Sequence, residues 1–251
     1  MRAIIIGAGR GKRLMPTTDE TPKCFAEVQG RRIIDWNLQS FAENGITEIC
    51  FIGGYRIEKV KWEYPHFIFR ENRDWSNNNI MVSLMHAEDL MNVPFVCSYS
   101  DCLFSAGVVG SVLKSSAEIA LSVETDWLAR YARRSDHPTD DAEKVSTQNG
   151  LITRIHREME NENAHGEYTG IAKFSANGAR RLIYHYHRCR QAYSGRSFRE
   201  APVFEKAYLI HLFQEMIEAG ETLAYCDHRG GYVEIDTQQD YRLAELHWGK
   251  S

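Results

Sequence analysis

The chain has 251 residues, a formal net charge of −4, and is 43% hydrophobic and 25% charged. That length can bury one substantial core, and the charge gives no general electrostatic reason to bind nucleic acid, leaving only a local basic pocket. Met1–Ile6 is a short apolar run ending at glycine, unlike a signal peptide, and no run approaches the roughly 18 apolar residues of a membrane span. A cytoplasmic chain with no membrane partner is expected.

Strand-length apolar runs are predicted at 2–6, 48–52, 67–70, 94–100, 118–123, 168–174, 222–226 and 232–235. Helical patterns are predicted at 33–44, 81–91, 106–115, 176–193, 203–219 and 238–246. The first half reads as successive β-α units, which favours a parallel sheet covered on both faces. In the second half, 144–155 and 166–174 read as added antiparallel strands. The expected fold is α/β, a single domain over 1–251 with a central mixed, mainly parallel sheet flanked by helices.

The first strand runs directly into Gly7-Ala8-Gly9-Arg10-Gly11-Lys12-Arg13-Leu14-Met15-Pro16, followed by Thr21-Pro22-Lys23. Glycines at the carboxyl end of a strand let backbone N–H groups approach a phosphate. Arg10, Lys12, Arg13 and Lys23 add enough positive charge to balance much of a triphosphate. The plainer alternative is a tight turn with solvated basic residues. A Walker A loop is excluded, because Gly7 and Gly11 enclose three residues and Arg13 follows Lys12 where Ser or Thr is needed. A dinucleotide fingerprint is excluded too: the third glycine comes one position early, and Pro16 and Pro22 interrupt any helix beginning at the loop.

Further along, Asn77-Asn78-Asn79 opens the helical pattern containing Ser83, where helix capping is one ready explanation. The run Phe95–Tyr99 continues into Ser100-Asp101, which puts a carboxylate at the carboxyl edge of the sheet, where α/β proteins bind ligands. The polar stretch 125–143 is long for a plain connection and reads either as a lid or as a mobile insertion. Six cysteines without a C-x-x-C pair read as buried thiols. His185 and His187 are two apart on a helical pattern, so their rings fall on different faces and do not suggest a metal pair. Near the C-terminus, Asp236 precedes a helical pattern that it could simply cap.

The loop resembles the signature of the GT-A-like nucleotidylyltransferases, Gly-x-Gly-x-Arg-Leu-x-Pro-x-Thr followed by Pro-Lys, with Gly9, Gly11, Arg13, Leu14, Pro16, Thr18, Pro22 and Lys23 in register. The likeness runs the length of the chain and is strongest to bacterial CTP:phosphocholine and phosphonate cytidylyltransferases. One departure is Gly7, where that family usually has alanine, a change expected to be sterically harmless. The resemblance implies a Rossmann-like, GT-A-like fold and transfer of CMP from CTP to a small phosphate or phosphonate acceptor, with release of pyrophosphate. It implies that Ala8, Gly9, Arg10, Gly11, Lys12 and Arg13 bind the nucleotide phosphates, with Asn79 and Ser83 at the base or ribose. It makes Lys23 and Arg13 the catalytic cations and Asp101 and Asp236 the ligands of Mg²⁺, a hard cation suited to oxygen donors. In the acceptor region, Trp127, Tyr131 and Tyr168 could cage a quaternary ammonium; Arg130 could instead meet an anionic group, and Glu167 is a further candidate contact. A sugar- or inositol-1-phosphate nucleotidylyltransferase and a non-catalytic nucleotide-sensing subunit are the competing readings. A homodimer is compatible with the chain.

Overall fold

The computed structural model describes residues 1–136 and 138–249. In chain order the elements are β1 (Arg2–Gly7), β2 (Glu27–Val28), β3 (Arg31–Arg32), α1 (Ile33–Glu43), β4 (Glu48–Gly53), α2 (Ile57–Glu63), β5 (Ile68–Glu71), α3 (Ile80–Met85), β6 (Phe95–Tyr99), β7 (Cys102–Phe104) and α4 (Ala106–Lys114). Then follow β8 (Ile119–Glu124), α5 (Trp127–Tyr131), β9 (Lys144–Gln148), β10 (Leu151–His156), β11 (Gly166–Phe174), α6 (Ala176–Tyr193), α7 (Leu209–Glu218), β12 (Ala224–His228), β13 (Tyr232–Glu234) and α8 (Gln238–His247).

Nine strands form one sheet in the order β5-β4-β1-β6-β11-β8-β12-β10-β9. The β5-β4-β1-β6 half is parallel, whereas β11 runs antiparallel to both β6 and β8, and β10 and β9 close the far side as antiparallel strands. The mixed sheet expected from the alternating runs is therefore present.

Strand alternation decides which side each residue feeds. Along β1, Ile4 and Ile6 pack with Met81 and Leu84 of α3 and with Leu182 and Phe213 of α6 and α7, while Ala3 and Ile5 pack with Phe41 of α1, Val60 of α2 and Val109 of α4. A strand buried on both faces reads as a continuous apolar run, as Ala3-Ile4-Ile5-Ile6 does.

Helix α6 begins where predicted because Ser175 caps it, accepting from the N–H groups of Asn177 and Gly178 at 3.1 and 3.0 Å. Its two histidines face apart: His185 meets Glu221 at 3.1 Å and His187 meets Glu88 at 2.8 Å. Five of the six cysteines are buried, as free thiols. Two predicted helices are shorter than their periodicity suggests. The run 81–91 breaks after Met85 into a turn and a 3₁₀ segment, and in 203–219 the helix proper begins only at Leu209. Among the described residues, no helix is long and apolar enough to cross a membrane.

The predicted insertion 125–143 lies against α8, although residue 137 within it is outside the described residues. Gln239 accepts from the N–H groups of Ser135 and Asp136 at 2.7 and 2.9 Å, and Arg134 donates to Asp240 at 2.6 Å.

Candidate active site

Because β1 and β6 are parallel neighbours, with Ile6 opposite Tyr99, the glycine loop and Asp101 emerge side by side from one sheet edge. A small ladder then brings in the C-terminal carboxylate. In β7 and β13, Cys102 pairs with Glu234, and the Ile235 N–H donates to the Asp101 carbonyl at 3.0 Å, so Asp236 comes to rest beside Asp101. Asp240 fixes the turn by accepting from the Asp236 and Thr237 N–H groups at 3.1 and 2.8 Å, and Thr237 caps α8 in return.

Lys23 enters this pair from a 3₁₀ turn that follows Pro22. Its ammonium donates to Asp101 Oδ2 at 2.9 Å and to Asp236 Oδ1, and the residue is only 7% exposed. Burial pulls the lysine pKa down, but Asp101 and Asp236 outweigh it and hold the group above its usual value, firmly charged. Arg13 bridges Asp236 Oδ2 at 2.6 Å and Asp141 Oδ2 at 2.7 Å, and these carboxylates likewise raise it against burial. Beside them, Glu234 is pushed well above the usual carboxylate range by burial, with Asp236 and Asp101 adding to the effect.

The loop geometry explains its glycines. Gly11 has φ +69°, and a Cβ there would lie 2.8 Å from Lys23 Cδ, so the lysine stem passes where a side chain would be. Thr18 Oγ1 donates to the Gly11 carbonyl at 2.8 Å, and the Gln238 amide donates to the Leu14 and Met15 carbonyls at 2.7 and 3.2 Å, which ties the loop to α8. Gly9 faces open space, while the Ala8 carbonyl is held by the Tyr55 N–H at 2.9 Å. Arg10 lies over the Tyr55 ring at 5.3 Å, and Lys12 is exposed. At Gly7 a Cβ would come within 2.7 Å of both Phe51 and Ser100. Glycine is thus accommodated as expected, and here it is also what the packing requires.

Other expected contacts are committed elsewhere. The two ends of the Asn79 amide serve α3 and the chain beyond it: Oδ1 accepts from the Ile80 N–H at 2.8 Å, and Nδ2 donates to the Lys206 carbonyl at 3.2 Å. Ser83 is buried and bonded to Asn72 at 2.9 Å. Capping thus accounts for Asn79, whereas Ser83 lies inside α3, accepting from Asn72 and donating to the Asn79 carbonyl at 3.1 Å. The aromatic cage is also corrected. Trp127, Tyr131 and Tyr168 are 2%, 4% and 2% exposed, and Trp127 packs edge-on against Tyr131. Arg130 donates to Glu124 at 2.9 Å and also to Glu167, while Tyr131 donates to Glu167 at 2.9 Å. These groups form a buried ion-pair cluster under α5 because each charge there needs a partner, which leaves Arg130, Tyr131 and Glu167 as framework. Tyr168 differs: its hydroxyl is buried, and among the described residues it has no hydrogen-bond partner.

Sequence reasoning missed Asp141, Glu143 and Arg157, which extend the cluster beyond Arg13. Arg157 donates to Glu143 at 3.1 Å and lies 3.8 Å from Asp141. Their isolated positions in polar stretches carry no motif that could have singled them out. A separate cleft of about 620 Å³ lies between α1, α5 and α8, but it contains none of Lys23, Asp101, Arg13 or the loop glycines. The convergence of Lys23, Arg13, Asp101 and Asp236 lies at the sheet edge, outside that cleft.

Residues 2–66, which carry the loop and Lys23, match the family model described as Nucleotidyl transferase. Across nearly its whole length the chain is 28% identical to a CTP:phosphoglutamine cytidylyltransferase of Campylobacter jejuni, covering 97% of this chain and 98% of that one. It is 33% identical to a choline-phosphate cytidylyltransferase of Streptococcus pneumoniae over 37% of this chain and 42% of that protein. Among solved structures, the inositol-1-phosphate CTP transferase from T. maritima superposes with a TM-score of 0.73 at 23% identity, covering 100% of this chain and 97% of that one. That structural likeness speaks for the fold.

Proposed function

We propose that the protein transfers CMP from CTP to a small phosphate or phosphonate acceptor, with pyrophosphate as the other product. The observation that carries the reading is the Lys23 ammonium shared between Asp101 and Asp236 beneath the glycine loop. CTP is supported by the relatives named as cytidylyltransferases.

The open backbone at Gly9 and the cations of Arg10, Lys12 and Arg13 receive the triphosphate. Asp101 and Asp236 suit Mg²⁺: they are two hard oxygen donors converging on one cation, here an ammonium. Among the described residues no third His, Cys, Asp or Glu completes a metal cluster, so phosphate oxygens would complete the coordination. Mg²⁺ held there would neutralise charge on the α-phosphate. An acceptor oxygen attacks the α-phosphorus in line; the bond to the bridging oxygen breaks, and its electron pair leaves with pyrophosphate. The attacking oxygen is already anionic near neutrality, so no general base is needed and catalysis rests on positioning and charge. Lys23 offsets the repulsion between the two anions, and Arg13 turns from Asp236 to the departing pyrophosphate.

Pyrophosphate release measured with each of the four NTPs and a panel of phosphate and phosphonate acceptors tests the reading. Turnover dependent on CTP is expected. Absence of turnover with CTP alongside activity with another NTP would refute the choice of base.

A further inference from the structure

The glycine loop is flanked on both sides. Asp101 lies past β6, while on the other side β4 runs parallel to β1 with Gly53 opposite Gly7, so the turn Gly54-Tyr55-Arg56 leaves the sheet beside the loop. Phosphate transfer as derived above uses the Asp101 side and assigns nothing to this turn. Yet turn and loop lie backbone against backbone: a Cβ on Gly54 would come 2.8 Å from the Ala8 carbonyl and 2.7 Å from the Trp75 ring. Arg56 holds φ +54°, in the left-handed region that favours glycine.

Tyr55 meets the loop with three different parts of the residue. Its N–H donates to the Ala8 carbonyl at 2.9 Å, where the loop begins, and its hydroxyl donates to the Asp19 carbonyl near the far end. Between these anchors its ring lies under Arg10, with the guanidinium carbon 5.3 Å from the centroid, inside the range of a cation–π contact. The ring packs edge-to-face against Trp75 at 5.6 Å between centroids, which fixes its tilt. The ionic hold on Arg10 is loose by comparison: Asp19 Oδ1 is 3.5 Å away, and about a third of the Arg10 side chain is open to solvent. Arg56 shares the ring from 5.6 Å but is committed to Glu20 at 2.7 Å. Arg10 is therefore the guanidinium that can change partner without leaving its platform.

We propose that Tyr55 is a positioning residue for the nucleotide: it closes the glycine loop end to end and presents the Arg10 guanidinium to the triphosphate. This rests on the reading in which the triphosphate lies on the glycine loop. An arginine side chain has large rotamer freedom, and fixing it only when the ligand arrives lowers affinity. With the Tyr55 ring beneath it, that ordering is already made in the free protein. A phosphate oxygen takes the place of Asp19 at the guanidinium, and the ring stays where it is. Most of what Tyr55 contributes to CTP affinity therefore passes through Arg10, which separates positioning from plain packing of a turn.

A double-mutant cycle tests this. CTP binding with Mg²⁺ is measured by calorimetry for the wild-type protein, Tyr55→Leu, Arg10→Met and the two together, and kcat by pyrophosphate release with an acceptor that the wild type turns over. Each single change should weaken CTP binding about tenfold, with kcat altered no more than about threefold. In the Arg10→Met background, Tyr55→Leu should weaken binding no more than about threefold further. Tyr55→Phe keeps the ring and the N–H, so it should stay within about threefold of the wild type, and Arg10→Met should still cost it about tenfold. Thermal denaturation without CTP shows that each variant is folded. A tenfold loss from Tyr55→Leu with or without Arg10, wild-type affinity in Tyr55→Leu, or an Arg10 effect that vanishes in Tyr55→Phe would each overturn the inference while leaving CMP transfer standing. A wild-type protein that neither binds CTP nor releases pyrophosphate would instead overturn the transfer reading beneath it.

Discussion

Replacing Lys23 with alanine probes the centre of the site. The ammonium is 7% exposed and holds Asp101, 2.9 Å away, and Asp236 together. Without it Asp236 keeps Arg13, but Asp101 faces a like charge. Removing one partner of a buried pair costs about 3–5 kcal/mol, and because Asp101 is about a quarter exposed we expect about 2–3 kcal/mol here. For a chain of this size that is a fall in Tm of roughly 4–12 °C. Mg²⁺ can take the vacated place between the carboxylates, so millimolar Mg²⁺ should raise the Tm of the variant more than that of the wild type. In turnover, loss of about 3 kcal/mol of transition-state stabilisation would lower kcat/KM about 150-fold. The assays are thermal denaturation with and without Mg²⁺ and pyrophosphate release. A variant with wild-type Tm and no added response to Mg²⁺ would refute the claim that Lys23 stands where a metal would otherwise balance the two carboxylates.

Gly11→Ala should lower Tm by a few degrees, from a left-handed backbone cost of about 1–2 kcal/mol, and should cut kcat/KM more than tenfold by displacing Lys23. Gly9→Ala, which meets open space, should leave stability within ~0.5 kcal/mol; an equal loss at both positions would contradict the packing account. Asn79→Ala should cost about 1 kcal/mol in urea unfolding with the KM for CTP unchanged, because the side chain is a helix cap; a raised KM would restore it as a nucleotide contact. His211 is held down to about 4, chiefly by burial, and its Nδ1 faces the Tyr208 N–H at 3.3 Å, so it is neutral in the folded chain. The unfolded chain binds its proton near 6.5, so stability is lost as pH falls from about 6.5 toward 4, by up to about 2 kcal/mol at pH 5. Urea midpoints at pH 7 and 5 should differ less in His211→Gln than in the wild type, and an unchanged difference would refute this assignment.

Much of the sheet was readable because strands buried on both faces leave near-continuous apolar runs, as in Ala3–Ile6 and Phe51-Ile52. The glycine loop and Asp101 stood out locally, at strand ends, whereas Lys23 and Asp236 were singled out through the family resemblance; the structure brings Lys23, Asp101 and Asp236 together. What failed was reach across the chain. Trp127, Tyr131 and Tyr168 have the residue types of a ligand cage, yet all three are buried, and Glu124 and Glu167, on strands β8 and β11, engage Arg130 and Tyr131 in a buried ion-pair cluster. Asn79 and Ser83 could not be divided between capping and binding until Lys206 and Asn72 were seen beside them. Asp141, Glu143 and Arg157 assemble only when β9 and β10 fold back over β11, a register that no local spacing encodes.

The most direct test of the account is pyrophosphate release by the wild-type protein with CTP, Mg²⁺ and a panel of phosphate, phosphonate and phosphorylated amino-acid acceptors, repeated with UTP, GTP and ATP. The account predicts release that requires Mg²⁺, CTP and an acceptor together, with a CMP-linked product in equal amount. Release without any acceptor, or a covalent nucleotidyl-enzyme, would contradict direct in-line transfer at the Lys23, Asp101 and Asp236 site.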